Sequence, residues 1–276
     1  MTEVPTVRLN NDTRMPQLGF GVFQVPPEET AQAVQSALQA GYRSLDTAAA
    51  YGNEAGVAEG IRAAGVAREE LFITTKLWNS DHGHDAAQRA LDTSLEKLGT
   101  DHVDLYLIHW PVPEQDRYVE SWKALEKLHS DGRSRAIGVS NFHPKHLRRL
   151  LDESDTVPAV NQVELHPRLS QAELRSFHAE HNIATEAWSP LAQGGLLNES
   201  TLTGLADKYG KTSAQVVLRW HLQLGNVVIP KSVTPSRIAE NFDVFDFELA
   251  ADDMAAIAEL DNGGRVGPDP DTMNAS

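Results

Sequence analysis

Short apolar runs alternate with longer amphipathic stretches from about residue 17 to residue 260. Runs such as LFITTK, VDLYLIH and NVVIP are almost continuously apolar, as strands are when helices cover both faces of their sheet. They predict strands near 17–20, 43–46, 71–76, 103–108, 134–139, 158–162, 183–187 and 226–229. Between them, ETAQAVQSALQAG (29–41), DAAQRALDTSLEKLG (85–99) and DRYVESWKALEKLHSDG (116–132) place apolar residues three and four apart, the spacing of a helix with one buried face.

Start and stop signals agree with these periods. Ser170 with Glu173, and Thr212 with Gln215, fit capping boxes, while Gly41, Gly99 and Gly132 fit the left-handed position just past a helix. Ahead of the first repeat, TVRLN and MPQLG flank Asn10-Asn11-Asp12 as the arms of a hairpin would. After the last repeat, a helix over 250–260 leads into a Gly/Pro/Asp tail, 261–276, expected to fold over one barrel mouth. Eight strand–helix repeats without a linker predict a single α/β domain, residues 1–276, built as a (β/α)8 TIM barrel; that fold typically takes ~250 residues.

Composition narrows the chemistry. With no cysteine there is no disulfide, no thiolate nucleophile and no Cys-ligated metal. Asp and Glu number 39 against 24 Lys and Arg, and the resulting charge of −15 repels nucleic acid and anionic membranes. An anionic ligand therefore needs a local basic cluster, which residues 231–237 supply. No apolar stretch approaches the ~20 residues that span a bilayer, and MTEVPTVRLN lacks the pattern of a signal peptide, so the expected location is the cytoplasm.

Several short motifs do not carry through. Gly19-Phe20-Gly21 begins like a dinucleotide fingerprint, but residue 24 is Gln and no helix follows at once. Gly210-Lys211-Thr212 lacks the upstream glycine of a phosphate loop, since residue 205 is Leu, and reads as a helix stop followed by a cap. The pairs His82/His84, His143/His146 and His178/His181 have ligand-like spacing without an adjacent third ligand, and read as solvated surface histidines. No metal is expected.

In a parallel barrel the C-terminal strand ends open on one face, so residues far apart in sequence share a site. In chain order those ends are Asp46, Lys76, His109, Ser140-Asn141, Gln162, Trp188-Ser189 and Lys231-Ser232, with Tyr51 in the loop after Asp46. Asp46, Tyr51, Lys76 and His109 are groups costly to desolvate singly, and together they read as an active-site set. The next three strands add a hydroxyl, amides and a flat aromatic, suited to a planar ring that bears a carboxamide. The eighth adds Lys231, Ser232 and Arg237 beside a helix with Thr234 as its cap and Pro235 at its first position, a recurrent barrel phosphate site.

The motifs DTAAAYGNE (46–54), ITTKLW around Lys76, LIHWP around His109, GVSNF (138–142), NQVELHP (161–167) and IPKSVTPSRIAENF (229–242) together resemble the aldo-keto reductases, over residues 5 to 270. Within that family, QLGFGVFQVP, ITTKLWN and RWHLQ are most similar to the bacterial 2,5-diketo-D-gluconate reductase branch. The resemblance implies NADPH-dependent reduction of small aldehydes, ketones, dicarbonyls or keto-sugars, by a monomer that needs no metal. Asp46, Tyr51, Lys76 and His109 would form the catalytic tetrad, with Tyr51 as general acid. A neighbouring Lys⁺ is expected to lower a tyrosine's pKa by roughly 1–3 units.

Ser140, Asn141 and Gln162 would hold the nicotinamide carboxamide and Trp188 would stack on the ring. Lys231, Ser232 and Arg237 would bind the 2′-phosphate, Glu240 and Asn241 would meet the adenine end, and Gly21, Ser189, Leu191 and Val233 would complete the cofactor contacts. Phe23, Tyr51, Trp78 and Trp110 would line the substrate pocket, with the tail as a mobile wall. Trp188 stands where Tyr is common in the family, and PVPEQDRY (111–118) is a shorter loop than many animal members carry, which leaves the pocket open. Two other readings stay open: oxidation of an alcohol by the same residues, and a non-catalytic NADPH-binding subunit.

Overall fold

An antiparallel hairpin, β1 (Thr6–Arg8) and β2 (Arg14–Pro16), comes first in the computed structural model, which describes residues 4–275. The first three residues of the stretch tested for a signal peptide, and the last residue of the tail, lie outside it. Strands and helices then alternate: β3 (Phe20–Gly21), α1 (Pro27–Ala40), β4 (Ser44–Asp46), α2 (Glu54–Ala64), β5 (Phe72–Leu77), α3 (His84–Leu98), β6 (Val103–Ile108), α4 (Tyr118–Ser130) and β7 (Ser134–Ser140). There follow α5 (Pro144–Glu153), β8 (Val160–Glu164), α6 (Ala172–Glu180), β9 (Ala184–Trp188), α7 (Ser200–Tyr209), α8 (Ser213–Gln223), β10 (Val227–Val228), α9 (Pro235–Phe242) and α10 (Ala251–Ala258).

Strands β3 to β10 pair in parallel, each with its neighbour in sequence. The sheet closes where Leu18 bridges Val228, with Gly19 N–H on Val228 O at 2.9 Å and Val228 N–H on Gln17 O at 3.0 Å. A side chain at Gly19 would press within 3.0 Å of Ile229 and Ser44, so glycine lets the first and last strands meet. The fold is the expected (β/α)8 barrel.

Period-two alternation sorts each strand between two cores. On β6, Tyr106 and Ile108 pack outward under the helices, whereas Leu105 and Leu107 point inward and join Phe72, Val160 and Val227. Met15 and Leu9 of the hairpin complete that inner cluster, so the hairpin plugs one end of the barrel. Burying side chains of this size is worth about 1.5–3 kcal/mol each. Chemistry is left to the other end, where the strands finish.

Thr212 and Gln215 form the expected reciprocal cap, with backbone-to-side-chain bonds of 3.0 and 3.3 Å. Gly41 and Gly99 take left-handed φ angles of 116° and 65° past α1 and α3. Two expectations are corrected. Ser170 does not cap α6: Gln171 precedes the helix, and Ser170 gives both its N–H and its hydroxyl to Asp261 of the tail. Thr234 precedes α9 without a side-chain cap bond, and its own N–H is taken by Ser232 Oγ at 3.1 Å. Among the described residues no helix is long and apolar enough to cross a membrane.

Candidate active site

Asp46 ends β4 and Lys76 is the penultimate residue of the adjacent β5, both with side chains inside the barrel, and Lys76 is completely buried. Its ammonium donates to Asp46 Oδ1 at 2.6 Å, Thr47 O at 2.9 Å and Tyr51 Oη at 3.3 Å, which commits all three of its protons. Tyr51 ends a single 3₁₀ turn, Ala49–Tyr51, that stops at left-handed Gly52. The loop is latched by Asn53, which accepts from Thr47 Oγ1 and donates to Val22 O and Val25 O. His109 follows β6 with its ring 5.7 Å from that of Tyr51. The four ionisable residues therefore converge, as their strand-end positions predict.

Burial raises the pKa of Tyr51; Lys76 pulls against it, but the net shift is upward. Lys76 lowers it as expected, through its charge and its hydrogen bond, but the larger cost of burial leaves the net shift upward and the phenol keeps its proton. For Lys76, burial opposes the charge, yet Asp46 and Tyr51 more than compensate and raise its pKa. His109 is pushed well below the ordinary imidazole value, first by burial and then by Lys76, so it is neutral. Its Nδ1 has no protein partner.

On the next strands, Ser140 Oγ donates to Gln162 O at 2.8 Å. Asn141, at a left-handed φ of 64°, gives its amide protons to His109 O and Ser140 Oγ, while its Oδ1 accepts Trp188 Nε1 at 2.8 Å. Gln162 Nε2 donates to Asp46 Oδ2 at 2.7 Å and to Glu186 Oε2 at 2.9 Å. Both its amide protons are engaged, and its carbonyl oxygen is left as an acceptor. Ser189 and Leu191 follow β9 directly, and Gly21 N–H, at the end of β3, bonds Pro230 O at 3.1 Å.

Beyond β10, Lys231, Val233 and Arg237 are exposed around the start of α9. Among the described residues, neither cation has a carboxylate within 4.0 Å. Asn241 is buried on α9, and Glu240 is already engaged, accepting from Thr212 Oγ1 at 2.9 Å.

Phe23 is 51% exposed and lies 5.0 Å from Tyr51, ring to ring. Trp78 meets His109 edge-on at 5.2 Å. Trp110 is only 6% exposed and stacks beside His109 at 6.4 Å, so it supports that ring more than it faces the mouth.

The tail, expected as a mobile wall, is tied down along its length. Asn262 and Gly264 bond Arg168 O, Val266 and Gly267 donate to the Glu164 carboxylate, and Asn79 holds Ala275 O. A side chain at Gly267 would strike the Trp188 indole at 2.4 Å, so the tail lies directly against that ring.

Three of the paired histidines, His82, His146 and His178, are buried rather than solvated, and Asp271 of the tail provides the third group that His143 and His146 lack in sequence. His143 Nδ1 lies 3.0 Å and His146 Nε2 3.5 Å from Asp271 Oδ1, and Lys145 Nζ is 2.8 Å from Oδ2. Because the backbone N–H of His143 donates to His146 Nδ1, the neutral ring carries its proton on Nε2, facing the carboxylate. Arg265 adds a further cation beside His143. His143 and Lys145 thus clasp the tail through Asp271, with His146 beside them.

Glu164, His166 and Glu186 are further buried polar residues at this end of the barrel that the strand-end set leaves out. His166 Nε2 lies 3.0 Å from Glu164. Burial opposes the charge on Glu164, but His166 and the two tail N–H groups hold its pKa low. The visible signal is acidic residues inside VNQVE and ATEAW, at positions that share a face with Gln162 and Trp188.

A model of the aldo/keto reductase family matches residues 17–262. Methylglyoxal reductase DkgA of Escherichia coli (strain K12) is 56% identical over 273 residues, 98% of each chain. An aldo-keto reductase of Mycobacterium sp. (strain KMS) is 58% identical over 270 residues, again 98% of each. Among solved structures, a mutant of Gox0644 in complex with NADPH aligns with a TM-score of 0.95 at 50% identity, covering 98% of this chain and 99% of that one. A Bombyx mori aldo-keto reductase in complex with NADP aligns at 0.92 and 37% identity, covering 98% and 97%.

Proposed function

The chain belongs to the aldo/keto reductase family and is an NADP-dependent oxidoreductase, and on that premise we propose that it reduces small aldehydes, ketones, dicarbonyls and keto-sugars with Tyr51 as the proton donor. The observation that carries this reading is the bond from Lys76 to Tyr51 Oη. An ammonium can only donate, so the phenol oxygen accepts and its own hydrogen is free for a substrate oxygen. When bound, NADPH supplies the hydride taken by the carbonyl carbon.

As charge develops on the carbonyl oxygen, Tyr51 Oη gives up its proton, and Lys76, already 3.3 Å away, stabilises the phenolate left behind. Asp46 holds Lys76 in place and in charge. His109 is neutral, and with Nδ1 enclosed and unpartnered its one proton belongs on Nε2, where it donates to the same carbonyl oxygen and orients it. Phe23 and Trp78 form apolar sides of the pocket, which suits compact substrates. The methylglyoxal reductase relatives favour dicarbonyls among them.

The residues present fit the cofactor. Lys231 and Arg237 are exposed beside a helix start and suit a 2′-phosphate. Glu240, the carboxylate that would favour a bare ribose, is turned to Thr212. Gln162 presents its carbonyl oxygen to the carboxamide amine, while Asn141, largely occupied, fixes the Trp188 indole for stacking.

The test is loss of nicotinamide absorbance with NADPH and a panel of aldehydes, dicarbonyls and keto-sugars, for wild type and Tyr51→Phe. Turnover should vanish in Tyr51→Phe while NADPH still binds. Undiminished reduction by that variant would remove Tyr51 from the role, and no turnover by wild type would point to a binding subunit.

A further inference from the structure

Glu186 lies wholly inside the barrel on β9, in register with Gln162 of β8. One amide nitrogen, Gln162 Nε2, bridges its Oε2 and Asp46 Oδ2. The protons of Lys76 all go elsewhere, and Glu186 Oε1 has no partner. Around it, β4 contributes Asp46, β5 Lys76 and the 3₁₀ turn Tyr51, while β8 offers the neutral Gln162 and β10 the apolar Val227. A buried carboxylate without a contacting cation is costly. Accordingly burial, then Asp46, pushes the Glu186 pKa up to about 8, against the smaller opposing pulls of Gln162 and Lys76. It holds its proton at neutral pH and loses it under mildly alkaline conditions.

We propose that Glu186 is a specificity-determining residue for the oxidation state of the cofactor: joined to Asp46 through Gln162, it favours NADPH while protonated and NADP⁺ once ionised. The inference rests on the reading of Gln162 as the partner of the carboxamide. The nicotinamide ring is neutral when reduced and carries one positive charge when oxidised, and that reading places the charge next to Gln162. A carboxylate one side chain deeper attracts it, in an enclosed site where salt screens weakly. Reciprocity then requires NADP⁺ binding to draw the proton off Glu186, which NADPH binding does not. His109 stays neutral and Lys76 charged through the same range, so neither mimics the effect.

The experiment measures the Kd of each nucleotide by quenching of tryptophan fluorescence, between mildly acid and mildly alkaline pH. The ratio Kd(NADPH)/Kd(NADP⁺) should rise on the order of tenfold as Glu186 ionises. Titration of the 2′-phosphate is common to both nucleotides and cancels. Glu186→Gln is isosteric with the protonated acid and should hold the ratio at the wild-type acid-side value at every pH. A flat ratio in wild type, or an undiminished rise in Glu186→Gln, overturns the inference.

Gln162→Met separates this from the underlying reading. It should weaken NADPH but not adenosine 2′,5′-bisphosphate, which lacks the nicotinamide. No selective loss would overturn the carboxamide role and the inference with it, whereas a selective loss beside a flat wild-type ratio overturns the inference alone.

Discussion

Lys76 and Lys231 sit at two ends of the same proposed cofactor-and-substrate groove under opposite electrostatic rules. Lys76 is fully buried, with every proton committed to Asp46, Thr47 and Tyr51. Lys231 is exposed and, among the described residues, has no carboxylate within 4.0 Å. The first is pre-organised before any ligand arrives, because its desolvation is offset by partners already in place. The second depends on an incoming anion, on a chain whose net charge of −15 repels one elsewhere. Chemistry is thus built into a closed network, and cofactor selection into an open one.

Breaking the closed network should have the largest effect. Lys76→Met removes the countercharge of Asp46 and the partner of Tyr51 in one step. Leaving one member of a buried pair uncompensated costs about 3–5 kcal/mol of stability, and turnover should be lost even where the protein is folded. Urea unfolding and NADPH consumption measure the two losses. Adding Asp46→Asn should restore much of the stability and none of the activity, and full recovery of turnover would show that the buried pair is not needed for the reaction.

The open network should respond more gently and with a different signature. Lys231→Ala or Arg237→Ala is expected to raise KM for NADPH on the order of tenfold or more, as loss of a charge-assisted phosphate contact would, with little change for NADH. Added salt should weaken NADPH binding in wild type and do so less in the variants, since exposed charges are screened. Equal effects on both nucleotides would mean that these cations do not read the 2′-phosphate.

What could be read from sequence divides along the same line. Asp46, Lys76 and His109 were visible because an apolar run fixes where a strand ends, and in a barrel that end is also a position in space. Lys231 and Arg237 were visible because their charge goes against the composition around them. Glu186 was not: its partnership with Gln162 exists only through the β8–β9 register, and within ATEAW it reads equally well as an outward polar residue. For Tyr51 the sequence reveals the neighbouring cation, whose pull has the expected sign, but not the degree of enclosure, which reverses the net shift. Ser170 and His146 are illegible for a related reason, since both answer to tail residues, Asp261 and Asp271, far along the chain.

The clasp on Asp271 lies between the two extremes, being partly exposed yet internally paired, and it sharpens the contrast through a small effect. Asp271→Asn removes the charge that meets Lys145 and His143 at the surface. Exposed pairs of this kind contribute about 0.2–1 kcal/mol, so thermal unfolding should shift by no more than about 2–4 °C. The sign with pH is fixed as well. Burial works against the charge of Asp271, but Lys145 and His143 hold its pKa below the ordinary aspartate value. A group shifted that way contributes fully above its unfolded pKa, near ~3.9, and loses the contribution as pH falls through the lower folded value. Wild type should therefore exceed Asp271→Asn by a small amount at neutral pH, and the two should converge as pH falls below the ordinary aspartate range. A difference as large as that of Lys76→Met would mean that the tail is part of the closed network after all.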